Sequence, residues 1–457
     1  MEEQKAERPF KQFERALKRL VKPAGDDPRF ATFDLIKQNT EPFLLECHKT
    51  YKELHYLSIA HQFALEKLLA SPSLPQASKV EIQYLKLLWE RINDTIVWQM
   101  FCQQRYIVKR LCMRQPRRPL AACNPTSVIS VLKQINSDPF KIAVWTDATG
   151  IVDVGDILCR DYKTGEVLFL EVKEGEVNDD ILRTLKTSAC PWTVQDFVNR
   201  RGEKGSEQML RVVKQLKLNH QVGAFLKEEK GFDPSAGQDV EILDLTDIPE
   251  MEWDRELEQA LRSSEREDGA VACVDDALWL FAKIRTCEDV SAVEQQFANR
   301  MESVRHPTAL KWMRAHEKGD SFPSILSLQQ WVSYVQSRPL FCRTIAVDDM
   351  LSILRGDRHV MMFFDWSAFG NLLSRVGITL GWSSRKEGRR EKAKPRYDRL
   401  LLVGERMPIL TCGGASIHLG DSQLLRVFFD GVRPSTLVAH FKRDFEVMAR
   451  RLGTSAG

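Results

Sequence analysis

The chain has 457 residues, 43% hydrophobic and 28% charged, an ordinary globular composition long enough for two or three domains and a sizeable core. The formal net charge is only +3, so any inference about partners rests on where charge clusters rather than on the total. Ten cysteines stand singly, with no CxxC pair and no Cys/His cluster, which argues against a zinc site and against a secreted disulfide framework.

In chain order, Lys5 to Arg114 is dense in Leu, Glu, Lys and Gln at helical spacing, broken by turn signals near 23–27 and 71–75. This predicts an all-helical region over residues 1–125. The opening residues are polar and charged, unlike a signal peptide, and a cytoplasmic location is the default. His48, His55 and His61 lack partner cysteines and read as surface or packing residues. No acidic residue occurs between Asp94 and Asp138, an interval that carries Arg105, Lys109, Arg110, Arg114, Arg117, Arg118 and Lys133 with Trp98, Phe101 and Tyr106 interleaved. A local block of this kind attracts a phosphate backbone, because neutralising phosphates releases counterions; a solvated face is the plainer alternative. Arg105, Lys109, Arg110, Arg114, Arg117 and Arg118 are the expected nucleic-acid contacts.

Strand signals begin at Lys141 and run to a strand expected over 239–245, which defines a core over 126–250. Residues 141–147 read as a strand. Two further apolar runs, Ile157 to Arg160 and Val167 to Val172, are separated by a Lys163-Thr164-Gly165 turn and read as a β-hairpin. Side chains alternate along a strand, so Glu171 and Lys173 share a face. If Arg160 sits opposite Val167, Asp156 falls opposite Glu171, with Cβ atoms about 5 Å apart. Two carboxylates so placed can hold a hard cation such as Mg²⁺ (or Mn²⁺), and an adjacent ammonium can stabilise charge on a phosphate in phosphodiester hydrolysis. The plain alternative is a solvent-facing Glu–Lys ion pair on a half-exposed strand.

Gly155-Asp156 followed by Glu171-Val172-Lys173 resembles the PD-(D/E)XK, or restriction-endonuclease-like, nuclease superfamily, over about 141–245 only and without the proline of the family's name. The resemblance implies a restriction-endonuclease-like core, a mixed sheet flanked by helices; with the all-helical N-terminal region and the α+β C-terminal domain read from the sequence pattern, the expected fold class is α/β. It implies Asp156 and Glu171 as metal ligands, Lys173 as catalytic base or charge stabiliser, and DNA rather than RNA as substrate. It also implies a helix whose Lys or Gln faces the metal. Gly205 to Leu216 supplies one, with Ser206 as N-cap, Met209, Val212, Val213 and Leu216 as the buried stripe, and Gln208 as the catalytic glutamine, although Val212 stands where some branches of the family have Tyr. A third acid, from Glu53, Glu90, Asp147 or Asp153, would complete the metal set. Asp153 is expected to point away from Asp156 if the strand is unbulged.

Downstream, 246–268 is acidic and carries a helix around Trp253 to Leu261; 251–268 reads as a linker or as a cover over the basic groove. The stretch from Val360 to Trp382 is broken by Asp365, Asn371 and Arg375 and falls short of a membrane span. Arg385 to Arg396 reads as an exposed basic loop. Leu400 to Val403, Ile409-Leu410 and Leu424 to Phe429 suggest a small antiparallel sheet, and Pro434 opens a last helix with a Val438, Phe441, Phe445, Met448, Leu452 stripe; together they give an α+β domain over 269–457. No nucleotide phosphate loop occurs, so a protein partner supplying recognition or motor activity is expected, as for the effector of a multi-component bacterial antiviral defence system. Nucleases of the resembled kind often act as homo-oligomers. A non-catalytic nucleic-acid-binding or scaffold protein that retains the core is the alternative class.

Overall fold

Apolar residues recurring every third or fourth position favour helix in the opening part of the chain. The computed structural model describes residues 3–21, 41–113, 119–123, 125–173, 175–186, 191–234, 237–242, 248, 250–284, 293, 295–297, 299–300, 325–393, 400–403 and 405–452. Helices α1 (Glu3–Val21), α2 (Glu41–Leu69) and α3 (Gln76–Met100) pack together through Phe13, Leu17, Leu54, Leu88, Ile92 and Ile96, all buried. Short α4 (Arg105–Leu111), a 3₁₀ turn (Leu120–Ala122) and α5 (Pro125–Asn136) lead into three strands, β1 (Lys141–Trp145), β2 (Ile157–Asp161) and β3 (Val167–Leu170). Then come α6 (Glu176–Lys186), the long α7 (Pro191–Glu228) and a hairpin, β4 (Lys230–Asp233) with β5 (Gln238–Glu241).

The strands pair antiparallel in the order β1-β2-β3. Ile157 and Cys159 of β2 and Ala143 and Trp145 of β1 turn to one face, where they join Ile59 of α2, Leu120, and Val128 and Leu132 of α5 in a single buried cluster. Each large apolar side chain so buried stabilises the fold by roughly 1.5–3 kcal/mol. The helical region and the sheet therefore share a core, and a domain boundary at residue 125 would cut through it. Two compact units run Met1–Leu243 and Asp244–Gly457, which places the division at residue 243 rather than 250.

β1 lies at the sheet edge, where backbone groups need partners. Side chains supply them. Asn136 accepts from the Ala143 N–H at 2.8 Å and donates to the Ala143 carbonyl at 3.0 Å. His55 Nε2 accepts from the Trp145 N–H at 2.8 Å, which leaves its Nδ1–H to donate to Asn93 Oδ1 at 2.9 Å. Asn93 and Gln62 both donate to the Ala148 carbonyl, at 2.7 and 2.9 Å. Burial pushes the His55 imidazole down to about 4, so it stays neutral and able to accept. His48 Nδ1–H donates to the Pro139 carbonyl and His61 stacks on Trp89, so all three histidines pack.

Several expectations are corrected here. Every strand pairing among the described residues is antiparallel, so the mixed sheet is absent from them. The strand expected over 239–245 is β5, which pairs only with β4 and does not join the sheet; part of that range lies outside the described residues. Ser206 is no N-cap: α7 already runs through it, and its hydroxyl donates to the Gly202 carbonyl. Of the expected stripe, Met209 and Val212 are buried against Ile181 and Phe197, whereas Val213 and Leu216 are exposed. The helix rests on α6 along a narrow seam rather than on a broad core.

The second unit holds α8 (Asp254–Ser263), a four-stranded antiparallel sheet of β6 (Ala270–Val274), β7 (Leu278–Ile284), β8 (Ile325–Ser327) and β9 (Arg358–Phe364) in the order β6-β7-β9-β8, and α9 (Val347–Arg355). α10 (Trp366–Ser374), β10 (Thr379–Trp382), α11 (Arg385–Lys392), β11 (Pro408–Cys412), β12 (Ala415–His418), α12 (Asp421–Phe428) and α13 (Pro434–Leu452) complete it. The segment 251–268 packs within the second unit rather than running free as a linker. Asp254 at the start of α8 is buried and accepts from Arg343 Nε at 2.9 Å while that guanidinium lies 4.1 Å over the Trp253 ring. Of the basic block expected as a loop, Arg385 to Lys392 is a helix: Ser384 and Glu387 close a capping box, and Gly388 fits where a Cβ would lie 1.9 Å from the Glu405 carbonyl oxygen; residues 394–396 lie outside the described residues. Residues 424–428 are helical rather than a strand. Among the described residues no helix is long and apolar enough to cross a membrane.

Replacing Asn93 by Leu strips His55 of its acceptor and removes one of the two donors at Ala148. We expect a loss of about 2–3 kcal/mol in urea unfolding, against a change within about 0.5 kcal/mol for the exposed Lys67→Ala.

Candidate metal centre

Asp156 precedes β2 on a tight turn. Gly155 has φ +68°, and a Cβ there would lie 3.2 Å from the Leu170 carbonyl oxygen, so glycine is required both by the left-handed backbone and by the close approach of β3. The Asp156 N–H donates to that same carbonyl at 2.8 Å. Arg160 faces Val167 and Ile157 faces Leu170, which carries Asp156 opposite Glu171 just beyond the ladder. The Val172 N–H donates to Asp156 Oδ2 at 2.6 Å, fixing one carboxylate against the strand that bears the other.

Glu171 and Lys173 do not form a solvent-facing pair. Their side chains are only 7% and 12% exposed, and Lys173 Nζ donates to Glu171 Oε2 at 2.7 Å. Lys173 also donates to Gln215 Oε1 at 3.0 Å, and Asn219 donates to Glu171 Oε1 at 3.2 Å. Gln215 and Asn219 are four residues apart, one turn of α7. Thus α7 closes over the trio with an amide on each partner.

Burial raises the Asp156 carboxyl most, and the neighbouring Glu171 charge adds to it. Together they lift it to about 6 against the opposing pull of the Val172 N–H and Lys173, with Asp147 contributing further repulsion. Asp147, Asp153, Asp156 and Glu171 line one cavity of about 700 Å³ with Arg211, Lys214, Gln215 and Asn219. Asp147 sits on the 3₁₀ turn after β1, its Oδ2 accepting from Cys123 Sγ at 3.3 Å.

The donor set is compatible with a hard divalent cation at Asp156 and Glu171, since two adjacent carboxylates that repel each other are what such an ion relieves. It is a pair, however: among the described residues no group of three His, Cys, Asp or Glu side chains is arranged to hold a metal.

The remaining candidates fall elsewhere. Gln208 is outside this cavity, donating to Asn178 at 3.0 Å; Gln215, two turns further along α7, takes the position at Lys173. Asp153 lines the cavity after all, because residues 152–156 form a loop and strand alternation does not apply. Glu53 pairs with Arg19 and Glu90 with Lys86, and neither lines the cavity. Arg110 is engaged within the fold: it is ion-paired with the fully buried Asp233 and lies 5.7 Å over the Phe225 ring. Trp98 and Phe101 are buried core residues. Arg105 and Lys109 are half-buried on α4, while Arg114, Arg117 and Arg118 lie outside the described residues.

Compared with known proteins, the chain matches no family model, no curated protein and no solved structure.

Because the folded protein holds the Asp156 proton more tightly than an ordinary carboxyl, this group favours the folded state at low pH, and that stability is lost as pH rises through about 6. Asp156→Asn removes the charge and keeps an acceptor for Val172. In chelator-treated protein we expect the variant to be more stable than wild type by about 1–2 kcal/mol near pH 8. In urea titrations the gain shrinks as pH falls through 6 and vanishes near the ordinary carboxylate value of 3.8.

Proposed function

We propose that the chain is a metal-dependent nuclease that hydrolyses phosphodiester bonds in DNA, with a restriction-endonuclease-like core formed by α5, β1 to β3 and α7. The observation that supports this reading best is the convergence of Asp156 and Glu171, one of them with a raised carboxyl, beside the largely buried Lys173 in a cavity open to a row of α7 side chains. The helix before the first strand, the three antiparallel strands and the following helix with a Gln on Lys173 come in the order the sequence resemblance implies.

A bound Mg²⁺ or Mn²⁺ would be held by Asp156 and Glu171 and would supply charge neutralisation and a water of lowered pKa. The chain's own residues do the rest. Glu171 and Gln215 hold the Lys173 ammonium beside the acid pair, just outside the cavity lining, where its charge offsets negative charge developing on a phosphate at the site. Asn219 keeps Glu171 from rotating away. Asp156 must lose its proton to bind a cation, so both cation affinity and activity fall as pH drops below about 6. The carboxylate pair, with no third acid in ligand geometry among the described residues, also favours a second reading, in which the core binds nucleic acid without cutting it.

Linear DNA incubated with the full chain and Mn²⁺ or Mg²⁺ tests both. Cleavage is expected, reduced about 10²- to 10³-fold in Asp156→Ala, Glu171→Ala and Lys173→Ala and about tenfold in Gln215→Ala, which releases Lys173, with Lys67→Ala as the neutral control. Equal cutting by all variants would remove the assigned site. A salt-sensitive shift without cleavage would favour the binding protein.

A further inference from the structure

A second cavity, of about 320 Å³, adjoins the first. Arg201, Lys204, Gln208 and Arg211 of α7 line it, together with Asn178 of α6, and Arg211 and Asn178 line both cavities. The two are thus joined along one face of a helix on which Lys204, Gln208, Arg211 and Gln215 recur at spacings of four, three and four, over about 16 Å of axis. Acids occupy the first cavity and none lines the second.

Local structure explains how the cations gather. Gly202 takes φ 67° and ψ −163° inside α7 and kinks it, and Gly205 then lets the helix close on the Arg201 side chain, since a Cβ at 205 would lie 2.4 Å from the Arg201 Cβ. Asp180 accepts from Arg201 Nε at 3.0 Å and from Arg200 Nη1 at 3.1 Å, and Asp196 accepts from Arg200 Nε at 2.9 Å, so two carboxylates balance these two guanidinium groups and the cavity's net positive charge comes from Lys204 and Arg211. Lys204 and Arg211 are exposed. Glu203 and Glu207 lie on the same helix and line neither cavity.

We propose that this second cavity binds the phosphate next to the scissile one, so that a single polynucleotide strand runs along α7, with Arg211 between the two phosphates and Lys204 and Arg201 holding the outer one. The inference rests on the nuclease reading for the position of the scissile phosphate. An anionic polymer fits where a small anion does not, because the cations are strung along a helix rather than focused on one point, and Gln208 and Asn178 add neutral donors for sugar and phosphate oxygens.

The test is equilibrium binding of a short fluorescently labelled single-stranded DNA to the full chain in Ca²⁺, by anisotropy across a series of KCl concentrations. Lys204→Ala and Arg211→Ala are each expected to lower the salt slope by about 0.7, the value for one single-strand phosphate contact, and to weaken binding about three- to tenfold at ~0.1 M salt. Arg211→Lys is expected to restore most of the slope, and Lys67→Ala to leave it unchanged. Slopes in both alanine variants equal to wild type would overturn the proposal. If wild type cuts DNA with Mn²⁺ and neither variant changes slope or KM, the strand path fails alone. If the slopes fall as expected and nothing is cut, the path stands and the hydrolytic site fails.

Discussion

The buried bond from the Trp145 N–H to a neutral His55 governs this half of the molecule. It ties the end of β1 to α2, and through Asn93 to α3, so the start of the turn that carries Asp147 is set by two helices rather than by the sheet alone. The Ala148 carbonyl, held by Gln62 and Asn93, fixes the far side of the same turn. Thr146 then bonds back to the Gly155 and Asp156 carbonyls, and the placement of Asp156 follows. The tautomer of one imidazole gives His55 a donor for Asn93 and an acceptor for Trp145, while Gln62 Oε1 stays buried without a partner among the described residues.

On that support the acid pair is held close against its own repulsion. The Val172 N–H, Lys173 and Asn219 each satisfy one carboxylate oxygen, yet burial still lifts Asp156. A carboxyl so raised costs stability when it ionises, and a divalent cation between Asp156 and Glu171 would relieve that cost. The helix that covers it serves two ends at once, presenting Gln215 and Asn219 to the trio and Lys204 and Arg211 to the adjoining space.

What could be read from the sequence was local. The Lys163-Thr164-Gly165 turn and the flanking β-branched runs fix the hairpin register, and with it the meeting of Asp156 and Glu171. Long-range pairing was not legible. Arg110 finds Asp233, far along the chain, and nothing near either residue announces it. Gln208 and Gln215 lie on one helical face, and only the direction in which α7 crosses the strands decides which reaches Lys173. Leu424 to Phe429 is a short apolar run, for which periodicity cannot separate strand from helix. Ser384-Arg385-Lys386-Glu387 did carry a signal, the capping-box spacing, which Gly388 and the charge run obscured.

The side chain of Asn136 has a consequence for the molecule's behaviour in a crowded solution. By occupying both backbone groups of Ala143, it works as a substitute neighbour that ends the sheet without a charge, a proline or a bulge. A stray β-segment from another molecule would have to break two side-chain bonds before making its first backbone one. Intermolecular growth of this sheet is thus disfavoured on the β1 flank, and the chain can keep the apolar run Ile142 to Trp145 on an edge strand without inviting aggregation.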